Sequence, residues 1–163
     1  MGANEHATVP DISTGFANTE SYGIRAMHRL LDQIGIPASA SQIGEGTGLS
    51  RRDLVTPNAM VRLLVYLAAQ SNAQVLQDAL PDAGIDGTLT GRMRGTAAAG
   101  NVRAKTGNMM YVHCLAGYVS SAAGERLVFA IMLNNYLPPP SSPRASGDVD
   151  AIAVMLAAFN GHS

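Results

Sequence analysis

The sequence has no tryptophan and a single cysteine among its 163 residues, and charged residues make up only 14% of it. The lone cysteine, Cys114, cannot form a disulfide within the chain, and its apolar surroundings favour a buried small side chain over a reactive thiol. Because the net charge is −1, no broad basic field is present to hold nucleic acid. The composition therefore excludes disulfide-rich scaffolds and predicts no nucleic-acid partner.

Long apolar runs are also missing. No stretch is apolar for long enough to span a bilayer, and residues 1–6 lack the pattern of an export signal. We therefore expect neither a membrane span nor an export signal within this sequence. Apolar residues still make up 47% of the chain, which is enough for the packed core of one domain or part of one.

The first half of the chain is predicted to be helical. Apolar residues recur at three- and four-residue steps over residues 19–34, which indicates an amphipathic helix. Thr56 and Pro57 are typical of a helix start, with a threonine cap and proline at the first helical position. A short helix is predicted over residues 74–80, and residues 1–18 are expected to be irregular.

The second half is predicted to contain an antiparallel sheet. Residues 102–106, 110–119 and 126–133 have strand character and are joined by short links, which make neighbouring strands antiparallel. The last two are apolar on both faces, so we expect helices on both faces of the sheet. With a final helix over residues 146–159, the predicted fold class is α+β.

The chemistry is concentrated in the tripeptide Lys105-Thr106-Gly107, which contains the sole lysine of the sequence. Such a tripeptide is common by chance, but several further segments surround it in a fixed order. They are Gly46-Thr-Gly-Leu-Ser-Arg51, Asp53-Leu-Val-Thr-Pro57, Gly84-Ile-Asp-Gly-Thr-Leu89, Leu115-Ala-Gly-Tyr-Val119, Gly124-Glu-Arg-Leu-Val-Phe129 and Asn134-Asn-Tyr136.

This ordered series resembles the class C low-molecular-mass penicillin-binding proteins, which are D-alanyl-D-alanine carboxypeptidases and endopeptidases of the bacterial cell wall. The resemblance extends from about Tyr22 onward and implies the C-terminal part of the transpeptidase-like fold. It implies serine-type acyl transfer followed by hydrolysis on peptidoglycan peptides that end in D-Ala-D-Ala. It also implies β-lactams as ligands of a completed site, a location at the cell envelope or in the periplasm, and no metal or organic cofactor.

The resemblance gives roles to single residues. Lys105 matches the lysine of the family's third motif, where its charge attracts the substrate carboxylate and assists proton transfer. Thr106 is expected to hydrogen-bond that carboxylate, and Gly107 to leave the strand edge clear for substrate. The backbone N–H of Met109 is a candidate oxyanion donor.

Ser50 matches the serine of the second motif, as a proton relay. Asp53 stands where an asparagine is expected, and it is a candidate substrate-binding residue. The first motif, Ser-x-x-Lys, is absent, because Val102 lies three residues before the sole lysine. We therefore assign no nucleophile and interpret residues 1–163 as a single partial domain that lacks its N-terminal strands and nucleophile helix and is inactive alone.

Two other functions stay open. The chain can be a non-catalytic fragment that binds peptidoglycan peptide or a partner chain, or it can derive from a related esterase or β-lactamase. An incomplete sheet exposes an edge, so we expect the chain to form a homo-oligomer, to associate with a missing N-terminal segment, or to be marginally stable. The histidines, including His113, are not spaced as metal ligands, so no metal site is predicted.

Overall fold

The computed structural model describes residues 19–138, 140, 144 and 146–161. The chain divides into two compact units, Met1–Leu63 and Leu64–Ser163. The predicted irregular segment over residues 1–18 lies outside the described residues, and the single partial domain stays a prediction. No helix in the described part of the chain is long and apolar enough to cross a membrane.

The first unit is built around helix α1, Thr19–Gln33, which matches the helix predicted there. A 3₁₀ turn, Ala38–Ala40, leads into the short strand β1, Ser41–Gln42, which pairs antiparallel with β2, Leu54–Val55. Helix α2, Pro57–Ala68, then begins where the Thr56-Pro57 pair predicted. The small core of this unit consists of Leu31, Ile36 and Ala59.

The second unit contains the main sheet. Its elements are helix α3, Ala73–Ala79, a 3₁₀ turn, Gly87–Leu89, strands β3, Arg103–Met109, β4, Val112–Ser120, and β5, Arg126–Asn134, and helix α4, Ser146–Ala158. The strand order is β3-β4-β5 with antiparallel neighbours throughout.

Helices contact both faces of this sheet. On one face, Leu115 and Phe129 are buried in a core that includes Val149 of helix α4. Strand residues alternate between faces, so Tyr118 lies on the opposite face. Its hydroxyl donates a hydrogen bond of 2.9 Å to the carbonyl oxygen of Leu64, in the part of helix α2 that belongs to the second unit. The predicted α+β class, with an antiparallel sheet between helices, is therefore confirmed.

Strands β3 and β4 approach unusually closely at Gly117. A Cβ built at this position would lie 2.1 Å from the carbonyl oxygen of Arg103 and 2.6 Å from Cα of Ala104. Neither backbone atom can move away without breaking the ladder that pairs Gly117 with Ala104. Glycine is required here because of this close contact and not because of an unusual backbone angle.

Candidate active site

The outer edge of strand β3 is covered at its start and open beyond it. The N–H of Ala83 donates to the carbonyl of Val102 at 2.9 Å, and the N–H of Ala104 donates to the carbonyl of Pro81 at 3.1 Å. From Lys105 to Met109, no strand within the described residues pairs with this edge. The predicted catalytic tripeptide therefore lies at the point where the edge becomes accessible.

The backbone groups that face the open edge follow from the alternation of an antiparallel ladder. The N–H of Ala104 points outward to Pro81, and the backbone of every second residue points the same way. Thr106 and Asn108 therefore present their N–H and carbonyl groups to an incoming peptide. This stretch of backbone can pair with an added extended segment.

The same geometry bears on Met109 as the candidate oxyanion donor. Met109 pairs with Val112 of strand β4. Because Ala104, Thr106 and Asn108 point outward, the alternate residues, Met109 among them, turn their N–H groups toward β4. An oxyanion donor on this strand has to point outward. Asn108, one residue earlier, has an N–H that meets this requirement.

Lys105 and Thr106 project from opposite faces of strand β3, yet both polar groups lie near its edge. The exposed Lys105 ammonium donates to the carbonyl oxygen of Thr106 at 2.8 Å. The Thr106 hydroxyl lies 3.2 Å from the hydroxyl oxygen of Thr88. The edge thus combines a cation, a hydroxyl pair and outward backbone groups, which are the components needed to bind a peptide carboxylate.

Gly107 fits against a neighbour on strand β4. A Cβ at position 107 would lie 3.3 Å from Cβ of Cys114, its cross-strand partner, which is tight but is not a backbone clash. Burial raises the pKa of the half-buried Cys114 thiol, which lowers its thiolate fraction at neutral pH. The cysteine therefore serves as a packing residue beside the tripeptide.

A cleft of about 520 Å³ lies beside Thr106, and its lining includes Thr88, Asn108, His113 and Arg92. The Arg92 guanidinium forms an ion pair with Asp150 of helix α4, in which Nη2 donates to Oδ1 at 2.6 Å and Nε lies 3.0 Å from Oδ1 and 3.2 Å from Oδ2. The two side chains are only 19% and 17% exposed. Because Asp150 neutralises this arginine, Arg92 tethers helix α4 to the loop and is not a free anion ligand.

Ser50 and Asp53 belong to the glycine-rich loop of the first unit. The Ser50 hydroxyl oxygen accepts the backbone N–H of Arg52 at 3.0 Å, and Asp53 accepts the N–H of Gly44 at 2.9 Å. Both side chains therefore stabilise turns within their own loop. The proton-relay role of Ser50 and the substrate-binding role of Asp53 stay predictions.

Glu45 is the main acceptor of this glycine-rich loop. Its carboxylate accepts the backbone N–H groups of Thr47 and Ser50, each at 2.8 Å. The hydrogen bond with the Thr47 side chain is the largest of several that lower the pKa of Glu45 below its usual value. The folded loop therefore favours the ionised form of the Glu45 carboxyl group.

Sequence reasoning assigned no role to Thr88 or Asn108. Thr88 lies in one of the segments on which the family resemblance rests. Only the fold, however, brings the Thr88 hydroxyl to Thr106. Within the described residues, no cluster of three or more histidine, cysteine or acidic side chains could hold a metal ion.

Comparison with known proteins identifies the family of this chain. Residues 11–158 match the model of the D-Ala-D-Ala carboxypeptidase 3 (S13) family. A D-alanyl-D-alanine carboxypeptidase from an Actinomadura species is 40% identical over 154 residues, which is 91% of this chain and 28% of the relative. The carboxypeptidase DacB of Haemophilus influenzae is 37% identical over 116 residues, covering 70% of this chain and 24% of the relative.

A solved structure shows the same fold. The crystal structure of penicillin binding protein 4 (dacB) from Haemophilus influenzae superposes with a TM-score of 0.70 at 33% identity. The match covers 83% of this chain and 30% of that one. The chain therefore spans about a quarter to a third of the length of the relatives it matches.

Proposed function

The chain belongs to the D-Ala-D-Ala carboxypeptidase 3 (S13) family, and we propose that it supplies the Lys-Thr-Gly wall of a serine-type D-alanyl-D-alanine carboxypeptidase site. The observation that carries this proposal is the open edge of strand β3 at Lys105–Met109. The substrate is a peptidoglycan stem peptide ending in D-Ala-D-Ala, and the site acts at the cell envelope. β-Lactams are ligands of the same site once it is complete.

In this proposal, the substrate peptide lies along the edge of strand β3. Lys105 attracts its terminal carboxylate, and the Thr106 hydroxyl donates a hydrogen bond to it. The N–H of Asn108, in place of that of Met109, stabilises the oxyanion that forms on the attacked carbonyl. A serine forms an ester with the penultimate residue, the terminal D-alanine leaves, and water then releases the shortened peptide.

The serine nucleophile is not assigned within this sequence. A Ser-x-x-Lys motif cannot be formed with Lys105 as its lysine, since position 102 is valine. This observation favours the second candidate function, a non-catalytic chain that binds peptidoglycan peptide or a partner chain. The two functions agree if residues outside this sequence supply the nucleophile.

The edge of strand β5 bears on the proposed partners. Within the described residues β5 pairs with β4 alone, and residues 127–133 carry no proline and no charge to protect the edge. We expect light scattering to give a mass above the monomer, with Val128→Lys reducing it. Met155→Lys, at a side chain that is 71% exposed on helix α4, is the control. A monodisperse monomer with a sharp thermal transition would contradict association.

Peptide binding tests the proposed function directly. We expect acetyl-D-Ala-D-Ala to shift the amide NMR signals of Thr106 and Asn108, and to bind roughly tenfold more tightly than its C-terminal amide, because a bond to a charged group is worth more than a neutral one. Lys105→Ala should abolish this preference. Arg126→Ala, which removes an exposed cation at the start of β5, should not. Equal binding of the two peptides would refute carboxylate recognition.

A further inference from the structure

The 3₁₀ turn Gly87–Leu89 is held in place beside strand β3. The loop that carries it closes on itself, with the N–H of Gly84 donating to the carbonyl of Leu89 at 3.0 Å. Gly87 has a φ of 49°, and a Cβ there would lie 3.0 Å from Cγ of Pro81. Since Pro81 is itself hydrogen-bonded to Ala104 of β3, the turn has a defined position relative to the strand.

Thr88 is the residue of this turn that meets the open edge. Its hydroxyl oxygen lies 3.2 Å from that of Thr106, and within the described residues it bonds no other group. A hydroxyl has one hydrogen to donate and two lone pairs to accept with. Two hydroxyls in contact can therefore exchange the donor role by rotation of their hydrogens, without transfer of a proton.

We propose that Thr88 is a positioning residue that fixes the Thr106 hydroxyl for recognition of a carboxylate. The inference rests on the proposed function, because it assigns that recognition to Thr106. Without ligand, Thr106 donates to Thr88. With a carboxylate present, Thr106 donates to the ligand and accepts from Thr88, so that a chain of two hydrogen bonds runs toward the negative charge.

The side-chain torsion of Thr106 gives a readout that needs no ligand. Threonine divides between χ1 rotamers according to the bonds that its hydroxyl can make. We expect three-bond NMR couplings to Cγ2 of Thr106 to indicate one rotamer in the unsubstituted chain and in Thr88→Ser. They should be averaged in Thr88→Val, which keeps the shape and loses the hydroxyl. Unchanged couplings in Thr88→Val would overturn the proposal.

Thr90→Val is a matched control from the same loop. The Thr90 hydroxyl donates to the carbonyl of Ile85 at 2.9 Å and does not reach Thr106, so this substitution removes a loop hydrogen bond alone. We expect the Thr106 couplings in Thr90→Val to equal those of the unsubstituted chain. Averaged couplings in this variant would show that any loosening of the loop moves Thr106, and would also overturn the proposal.

Binding measurements distinguish a failure of the Thr88 proposal from a failure of the proposed function on which it rests. Thr88→Val should bind acetyl-D-Ala-D-Ala about fivefold more weakly, the value of one neutral hydrogen bond, with unchanged affinity for the C-terminal amide. Thr88→Ser should restore binding. Equal weakening for both peptides would count against positioning. If the unsubstituted chain does not prefer the carboxylate, the proposed function fails, while the couplings still decide whether Thr88 positions Thr106.

Discussion

Replacing Gly117 with alanine is expected to destabilise the second unit by about 3 kcal/mol or more, at the upper end of the usual cost of overpacking. The added Cβ would lie 2.1 Å from the carbonyl oxygen of Arg103, a backbone atom of strand β3. Strands β3 and β4 would have to separate at their centre, where Ala104 and Leu115 are fully buried. Strand β3, which carries Lys105, would therefore lose packing and pairing with β4.

Thermal and urea denaturation, followed by circular dichroism, measure this effect. We expect the midpoint temperature of Gly117→Ala to fall by roughly 10 °C. The control is Gly91→Ala, since a Cβ at position 91 meets no atom within 4 Å and the residue needs no positive φ. A stability for Gly117→Ala within 0.5 kcal/mol of the control, an ordinary surface effect, would show that the strands are farther apart than described.

Benzylpenicillin is expected to leave the mass of this chain unchanged. Acylation requires an activated serine, and no serine here has a lysine three residues after it. A serine that opens a β-lactam ring retains the whole ligand, so acylation would add the full mass of benzylpenicillin. We expect a stoichiometric adduct only after a family segment that carries Ser-x-x-Lys is supplied, and we expect it on that segment.

The reconstituted site then tests the contribution of Lys105. Lys105→Ala should slow acylation by about 10²-fold or more, the usual cost of removing a group that stabilises developing charge. Arg126→Ala should react at the unsubstituted rate. An adduct on the isolated chain would contradict our interpretation. Peptide mapping and Ser50→Ala would then show whether Ser50, whose hydroxyl accepts the N–H of Arg52, serves as the nucleophile.

Much of the fold could be predicted because its signals are local. The three- and four-residue apolar spacing located helix α1 to within a residue, and the Thr56-Pro57 pair located the start of α2. The ends of the strands were predicted less accurately. Strand β3 continues to Met109, three residues past the predicted end at Thr106, because pairing with β4 outweighs the poor strand propensity of Gly107 and Asn108.

The short strand β2, Leu54–Val55, was not predicted, since two residues carry no periodicity. The same limit applies to the site. A tripeptide motif pointed to Lys105, Thr106 and Gly107, whereas the outward direction of the Asn108 N–H depends on the pairing of Ala104 with Pro81. The contact between Thr88 and Thr106 joins residues that are 18 positions apart, and no spacing rule anticipates it.

The covered start of strand β3 also limits the length of peptide that can pair with the outer edge of this strand. The segment 81–83 occupies the edge as far as Ala104, and the hairpin after Met109 turns the strand away, with Tyr111 at a φ of 64°. The open stretch between them is about 17 Å long at 3.4 Å per residue. An extended peptide that pairs with this edge must stop where it meets Pro81. The edge thus has the dimensions to hold the end of a peptide chain and excludes continuous pairing with the interior of a long one.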